Sequence, residues 1–434
     1  MNYIAYTIGP IYDTILDSLN DDNRTKRLKA GSYFFSYFMK TLLENIKDEF
    51  NILVPYLGDK NFKKIGIYHD RFIASSDKSK QEMKEVFNQQ LQKIYQDIAK
   101  DNSNILEQNM SNHLIIASYD ELLKIDDNII FALNKILDSK ELNRSFSSQK
   151  EQSFIKEYQD NYIQDGKNNV KNLQQISGNF NYYAVIVADG DKMGTKIQKL
   201  ATNKPENIKK ISKSLYQFFT NDSDIYNITR NFGGELIYAG GDDILAFLPV
   251  KKDDKIFLDY IDILDKRFKE VLGSDVSLSF GVNISYQRYP LRDAINSAFE
   301  LLYSVKDYES NSIAITTTKH SGQTFNNISN LQSDQYKLYK RFISDILDDT
   351  ISLPHSFHHS LKRYEGPILG IYKQKRTIDN LFKTIFNDEK SQKDQDGIEQ
   401  IKEYFNIIKP TTNKDFDDIF SSLSLVKFLR EDRK

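Results

Sequence analysis

A chain of 434 residues with 59 Lys and Arg against 61 Asp and Glu carries a formal charge of −2; it has room for several domains and offers no global electrostatic case for nucleic-acid binding. It contains no cysteine, which excludes disulfides and cysteine-ligated zinc and suits a reducing compartment. A Tyr- and Phe-based aromatic content of 12% argues against disorder, and without a basic-then-apolar leader or a run of about 18 apolar residues a cytoplasmic protein without membrane contact is expected.

In chain order, YIAYTIGP at residues 3–10 reads as a short strand closed by Gly-Pro. The basic cluster Arg24, Lys26, Arg27 and Lys29 is expected in a solvated loop, with RNA phosphates as its functional alternative. From residue 30 to 50, Phe34, Phe38, Leu42 and Ile46 keep helical spacing. NILVPYL and RFIASS read as strands, and a polar helix is expected from about residue 78 to 100. This strand–helix–strand–strand–helix order suits a ferredoxin-like module, placed at residues 1–101. Residues 102–180 are polar and read as a mostly helical intervening domain.

A second module, residues 181–328, opens with NYYAVIVAD, a continuous apolar run typical of a central strand buried on both faces. A helix at roughly 195–220 is followed by the hairpin GGELIYAGGDDILAFLPV, then by a helix at about 254–272. VSLSFGVNISY alternates cleanly, with Val276, Leu278, Phe280, Val282 and Ile284 on one face. The helix LRDAINSAFELLYSVKDY and the strand SIAITTT complete a second βαββαβ core. The fold class is therefore α+β: two ferredoxin-like modules, a helical insertion, and a helical C-terminal domain at residues 329–434.

Two strand ends carry the chemistry. The first strand of the second module ends in Asp189-Gly190-Asp191, and the hairpin turn holds Gly240-Gly241-Asp242-Asp243. In a βαββαβ sheet these strands are neighbours, so the carboxylates are expected to meet. An oxygen-only donor set favours a hard cation, Mg²⁺ or Mn²⁺. Gly190, Gly194, Gly240 and Gly241 would let a polyphosphate approach the backbone. The matching chemistry is nucleotidyl transfer, in which two metals bridge a triphosphate. Lys306 is the candidate to neutralise phosphate charge. The plainer readings are a Gly-Asp hairpin turn without chemistry and a lysine placed by a helix dipole.

These segments resemble the palm domains of polymerases and nucleotide cyclases, and most closely the large polymerase/cyclase subunit of type III CRISPR effector complexes in its Cmr-type form. VADGDKMG and YAGGDDILAFLP resemble that family's catalytic palm, with Lys306 at its phosphate-side lysine; YTIGPIYDTI, RLKAGSYFFSYFMKTLL and HDRFIAS resemble the first, non-catalytic palm. The resemblance covers residues 1 to about 100 and 180 to 325. It implies Asp189, Asp242 and Asp243 as metal ligands, Asp191 as an auxiliary, and Gly31 and Ser32 beside a nucleotide. It implies an ATP-using enzyme of an antiviral complex, with partner subunits, guide RNA and target RNA, releasing cyclic oligoadenylate as a second messenger. S-adenosylmethionine as acceptor, giving an adenylate conjugate, is the alternative product; a non-catalytic scaffold binding RNA and protein is the alternative of another class. Against the family pattern, the chain starts at the palm without the HD nuclease, so no DNA cleavage is expected, and it lacks the zinc ribbon. His69-Asp70 is read as structural. His355, His358 and His359 are read as a surface helix or subunit contact, with metal binding as the alternative.

Overall fold

The computed structural model describes residues 2–8, 24–58, 66–99, 115–118, 129–142, 170–201, 207–220, 225–318, 324–354, 356–386 and 391–431. The first sheet holds β1 (Asn2–Thr7), β2 (Asn51–Val54), β3 (Arg71–Ser76) and β4 (Ile115–Ser118), in the order β2-β3-β1-β4. All its pairings are antiparallel, which is the ferredoxin-like arrangement. Helices α1 (Arg24–Ile46) and α2 (Lys80–Ala99) cover it, burying Phe34, Phe38, Leu42 and Ile46 as their spacing requires. Two expectations need correcting. Strand β4 lies beyond residue 101, so the first sheet is completed by part of the stretch assigned to the helical insertion. The only other regular element described within 102–169 is α3 (Ile129–Leu142). The basic cluster forms the first turns of α1 and is no solvated loop: Arg27 and Lys29 are buried, because a carboxylate from the second palm reaches Lys29.

After the short helix α4 (Leu173–Ser177) the second sheet begins with β5 (Tyr182–Asp191). The expected helix at 195–220 is two pieces, α5 (Met193–Ala201) and α6 (Asn207–Thr220), and a further helix, α7 (Ile225–Asn231), follows. Strands β6 (Glu235–Gly240) and β7 (Asp243–Pro249) form the hairpin, followed by the small ribbon β8 (Lys251–Lys252) and β9 (Lys255–Ile256). Helix α8 (Phe257–Leu272), β10 (Ser277–Tyr286), α9 (Leu291–Tyr308), β11 (Ser312–Thr318) and β12 (Thr324–Asn330) follow. The sheet order is β12-β11-β10-β5-β7-β6. Its four strands β10-β5-β7-β6 repeat the ferredoxin-like order, and β11 and β12 extend it.

Strand β5 is apolar from Tyr182 to Ala188 because both its faces are covered there. Tyr182, Ala184, Ile186 and Ala188 join one core, shared with α6, α8 and the C-terminal helices, while Tyr183, Val185 and Val187 join the other, shared with α9 and the first palm. The C-terminal domain consists of α10 (Asp334–Leu347), α11 (Phe357–Arg363), α12 (Glu365–Lys373), α13 (Asp379–Ile385), α14 (Gln392–Ile408) and α15 (Asn413–Glu431). No described helix is long and apolar enough to cross a membrane.

Candidate active site

The site is assembled where β5 outruns β7. Their last antiparallel pair is Ala188 with Ile244, and the next residue along, Asp189, comes level with Asp243, the first residue of β7. Strands β6 and β7 close through a two-residue turn, Gly241-Asp242, inside the Gly240–Asp243 pair. Gly241 has φ +69°, a left-handed backbone that glycine adopts freely. One carboxylate oxygen from each of Asp189, Asp242 and Asp243 lies within 4.8 Å of the others. Adjacent like charges destabilise a strand pair, so the cluster calls for a cation. Asp189 has one already, an ion pair with Lys306 from the last turn of α9. Asp242 and Asp243 form no ion pair among the described residues.

Surrounding protein pushes the carboxyl of Asp242 up to about 6, with the charge of Asp191 adding to it. The carboxyl of Asp243 is pushed well up by the same burial, then by Asp242 and Asp70. Both remain reachable by water, Asp242 half-buried and Asp243 exposed; they lie in a concavity, not in a sealed core. Burial also lowers Lys306. Three oxygen donors at this spacing, two of them without a counter-charge, fit a hard divalent cation. Among the described residues this is the sole cluster with ligand geometry.

Several expected binding residues have other duties. Asp191 is 5% exposed and accepts hydrogen bonds from Ser277 Oγ (2.6 Å), Ser279 Oγ (2.8 and 3.0 Å) and the Asn311 amide (2.7 Å). Its oxygens bracket β5, β10 and the start of β11, which gives it a structural duty. At Gly190 the side-chain direction is already filled: a Cβ there would come within 2.8 Å of Asp242 Oδ2 and 2.9 Å of its Cβ. Gly240 likewise packs under the Tyr238 ring, whose hydroxyl would lie 2.7 Å from such a Cβ. Both glycines are thus needed for the packing of the protein's own side chains. Gly194 alone of this set opens onto empty space, in the first turn of α5. Gly31 is buried in α1.

Beside the carboxylates, a cleft of about 580 Å³ separates the two palms. Ser32, Tyr68 and Asp70 line it from the first palm, and Asp243, Asn296 and Glu300 from the second. Ser32 is 7% exposed and its Oγ has no hydrogen-bond partner among the described residues, which leaves a buried polar atom unsatisfied in the cleft wall. Phe35, Phe299 and Tyr303 supply aromatic wall. Asp70, read from sequence as structural together with His69, is one of the residues that line this cleft. Its neighbour His69 accepts from the Arg71 amide at Nδ1 (3.2 Å) and lies against the catalytic turn, Cδ2 being 3.8 Å from where a Gly241 Cβ would sit. The C-terminal histidines belong to no group of three or more metal-ligating side chains among the described residues. His358 Nε2 bonds Ser424 Oγ (2.7 Å) with its ring against Phe357 and Phe420, His359 is exposed, and His355 lies outside the described residues.

Residues 182–314 match the family described as Cas10/Cmr2, second palm domain. The CRISPR system Cmr subunit Cmr2 of Pyrococcus furiosus is 32% identical over 143 residues. That match takes in 28% of this chain and only 16% of the relative. Among solved structures, the type III-B Cmr-beta complex in its apo state contains a chain that superimposes with TM-score 0.59 at 11% identity, covering all of this chain and 82% of that one. The Csm1-Csm4 cassette in complex with cA3 gives TM-score 0.57 at 12% identity, covering 100% and 70%. The same cassette with one ATP gives 0.55 at 11%, again covering 100% and 70%.

Proposed function

We propose, from the match of residues 182–314 to the Cas10/Cmr2 second palm domain, that the protein is a metal-dependent nucleotidyltransferase of a type III CRISPR complex. It takes ATP as donor and joins adenylate to the 3′-hydroxyl of a second adenosine-bearing molecule. The observation that carries this reading is the convergence of Asp189, Asp242 and Asp243 on one point at the edge of the inter-palm cleft. The shared fold of Csm1 structures holding ATP and cA3 supports it, as do the partner subunits in those assemblies. Cytoplasmic location, guide RNA and target RNA belong to the same proposal.

In the reaction the acceptor oxygen forms a bond to the α-phosphorus of ATP, the bond from that phosphorus to the β-bridging oxygen breaks, and pyrophosphate leaves. Bound divalent cations, held by Asp189, Asp242 and Asp243, would supply charge neutralisation and a more acidic acceptor hydroxyl. Lys306, now paired with Asp189, is placed to transfer its charge to phosphate once that carboxylate has another partner. The open face of Gly194, in the first turn of α5, gives the triphosphate a backbone to approach. The aromatic walls and Ser32 Oγ would receive the acceptor's base and ribose.

With ATP as acceptor the product is cyclic oligoadenylate. One observation favours the second acceptor, S-adenosylmethionine. Among the described residues, the charged ones lining the cleft are Asp70, Asp243 and Glu300, with no Lys or Arg. An acceptor triphosphate would meet carboxylates there, whereas an adenosine bearing a sulfonium and an amine would find counter-charges. The test is mass spectrometry of products from the assembled complex given ATP, Mn²⁺ and target RNA, with and without S-adenosylmethionine. Cyclic oligoadenylates in its absence select the first acceptor, and an adduct appearing only in its presence selects the second. Asp242→Ala/Asp243→Ala should abolish either product while the complex still assembles; no product from the parent complex under any condition would leave the scaffold reading.

A further inference from the structure

The catalytic turn belongs to the second palm, yet what holds it in place comes largely from the first. Strand β6, which delivers Gly240, Gly241 and Asp242, is the outermost strand of its sheet. It pairs only with β7, and that register is broken by an irregularity between Leu236 and Tyr238. An edge strand with a bulge is a weak support for a metal-binding turn. Along its open side, however, β6 meets the first palm three times. At its start, Glu235, fully buried, is ion-paired with the buried Lys29 of α1. In its middle, Tyr238 bridges Gly66, and the Ala239 amide donates to the Gly66 carbonyl at 3.1 Å. At its end, His69 lies against Gly241. Helix α1 in turn fixes the 66–68 segment, since Ser36 Oγ accepts from the amides of Ile67 (3.0 Å) and Tyr68 (2.9 Å).

We propose that Lys29 and Glu235 are positioning residues: together they lock β6 to the first palm and thereby set the placement of Asp242 and Asp243. Glu235 is built as an anchor. Its second oxygen accepts from Arg230 (3.0 Å) at the end of α7 and from the Lys171 amide (3.3 Å), while Lys171 Nζ reaches the Gly233 carbonyl (2.7 Å). Lys29 also lies 5.2 Å from the centre of the Tyr226 ring. One buried carboxylate thus gathers the first palm, the segment entering the second palm, and the strand leading to the catalytic turn. A shift of α1 would be passed along β6 to the carboxylates, which gives the non-catalytic palm a part in switching the site as well as in lining the cleft. Neither residue is among those that line the cleft, so their part in the site is to hold the strand that carries it.

The inference rests on the reading of Asp189, Asp242 and Asp243 as a cation site, and the test separates the two. Mn²⁺ affinity of the full-length chain is measured by titration calorimetry, alongside pyrophosphate release by the assembled complex. Lys29→Met removes the inter-palm tie but leaves Glu235 its bonds to Arg230 and Lys171. It should weaken Mn²⁺ binding about tenfold, roughly 1.4 kcal/mol, and lower kcat with KM for ATP changed less than about twofold. Lys29→Arg should restore both. Lys251→Met severs a different ion pair, with Asp348, and should leave Mn²⁺ affinity unaltered whatever it does to the melting temperature. If Lys29→Met is not obtained folded, Lys29→Gln, which keeps one donor, takes its place. Unchanged Mn²⁺ affinity and kcat in the folded variant would overturn the positioning role. A parent chain that binds no Mn²⁺ overturns the cation site itself and the positioning role with it.

Discussion

Gly190→Ala tests the site geometry without removing any functional group. In the structure the new Cβ would lie 2.9 Å from the Asp242 Cβ, 2.8 Å from its Oδ2 and 2.7 Å from Met193 Cγ. Ordinary carbon–carbon contact begins at roughly 3.5 Å, so the shortfall is about 0.6 Å or more. The methionine chain is flexible and can turn away. Asp242 is less free, because its Cβ is fixed to a two-residue turn, so the turn itself must shift. Overpacking of this kind costs about 1–3 kcal/mol of stability. Misplacing a reacting geometry by about 1 Å can cost on the order of 100-fold in rate, which makes a loss of roughly 10- to 100-fold in kcat the expected result. The assay is initial-rate pyrophosphate release at saturating ATP and Mn²⁺, with a thermal melt of the same preparation. Gly370→Ala, in α12 with nothing within 4 Å of the new Cβ, serves as control and should gain up to about 1 kcal/mol of stability from helix propensity. Full activity in a folded Gly190→Ala protein would refute the packing of Asp242 described here.

Two further outcomes follow from the same geometry. Asp191→Ala should destabilise the second palm by about 2–4 kcal/mol, because it strands the Ser277 and Ser279 hydroxyls and the Asn311 amide in a buried setting; a denaturant melt unchanged from the parent's would return Asp191 to the list of ligands. Burial, helped by the Arg71 charge, lowers the pKa of His69 to about 4. Between that value and the unfolded one near 6.5 the unfolded chain binds the extra proton, so this contribution is complete above pH 6.5 and is lost as pH falls toward 4. The shift corresponds to about 3 kcal/mol as an upper bound, reduced by the partial exposure of the ring. His69→Asn keeps an acceptor for the Arg71 amide and should flatten the pH dependence of stability across that window; an identical pH profile in both proteins would show that other groups set it.

Periodicity carried the sequence reading where local pattern and tertiary burial agree, and failed where a distant partner decides. The alternation of Val276, Leu278, Phe280, Val282 and Ile284 does face one core. The opposite face of β10, with Ser277, Ser279, Asn283 and Ser285, reads as solvent-facing but is buried as well. Its cover comes from α9, which approaches so closely that a Cβ on Gly281 would lie 2.0 Å from the Ala298 carbonyl. Strand β4 is four residues in a polar stretch, with no periodicity long enough to detect. Lys29 looked solvated because its partner, Glu235, lies 206 residues away. A run of basic residues carries no local mark of a buried counter-charge.

The Asp189-Gly190-Asp191 motif shows most clearly where the sequence stops. Residues two apart on a strand share a face, so the two carboxylates are equivalent by pattern, and either could be assigned to a metal. What separates them is the strand each meets. Asp189 lies level with Asp243 at the mouth of the hairpin and takes Lys306 as partner. Asp191 lies two residues further along, past the end of β7; its neighbour is Ser277 of β10, and two serines and an amide donate to its oxygens. The glycine between them is required for a third reason, because Asp242 occupies the volume over it. Proposed ligand, bracket and spacer are therefore three consecutive residues whose surroundings are set by β7, β10 and the turn in between. Spacing within the motif shows that a carboxylate site is present, but only the register of the neighbouring strands shows which carboxylate serves it.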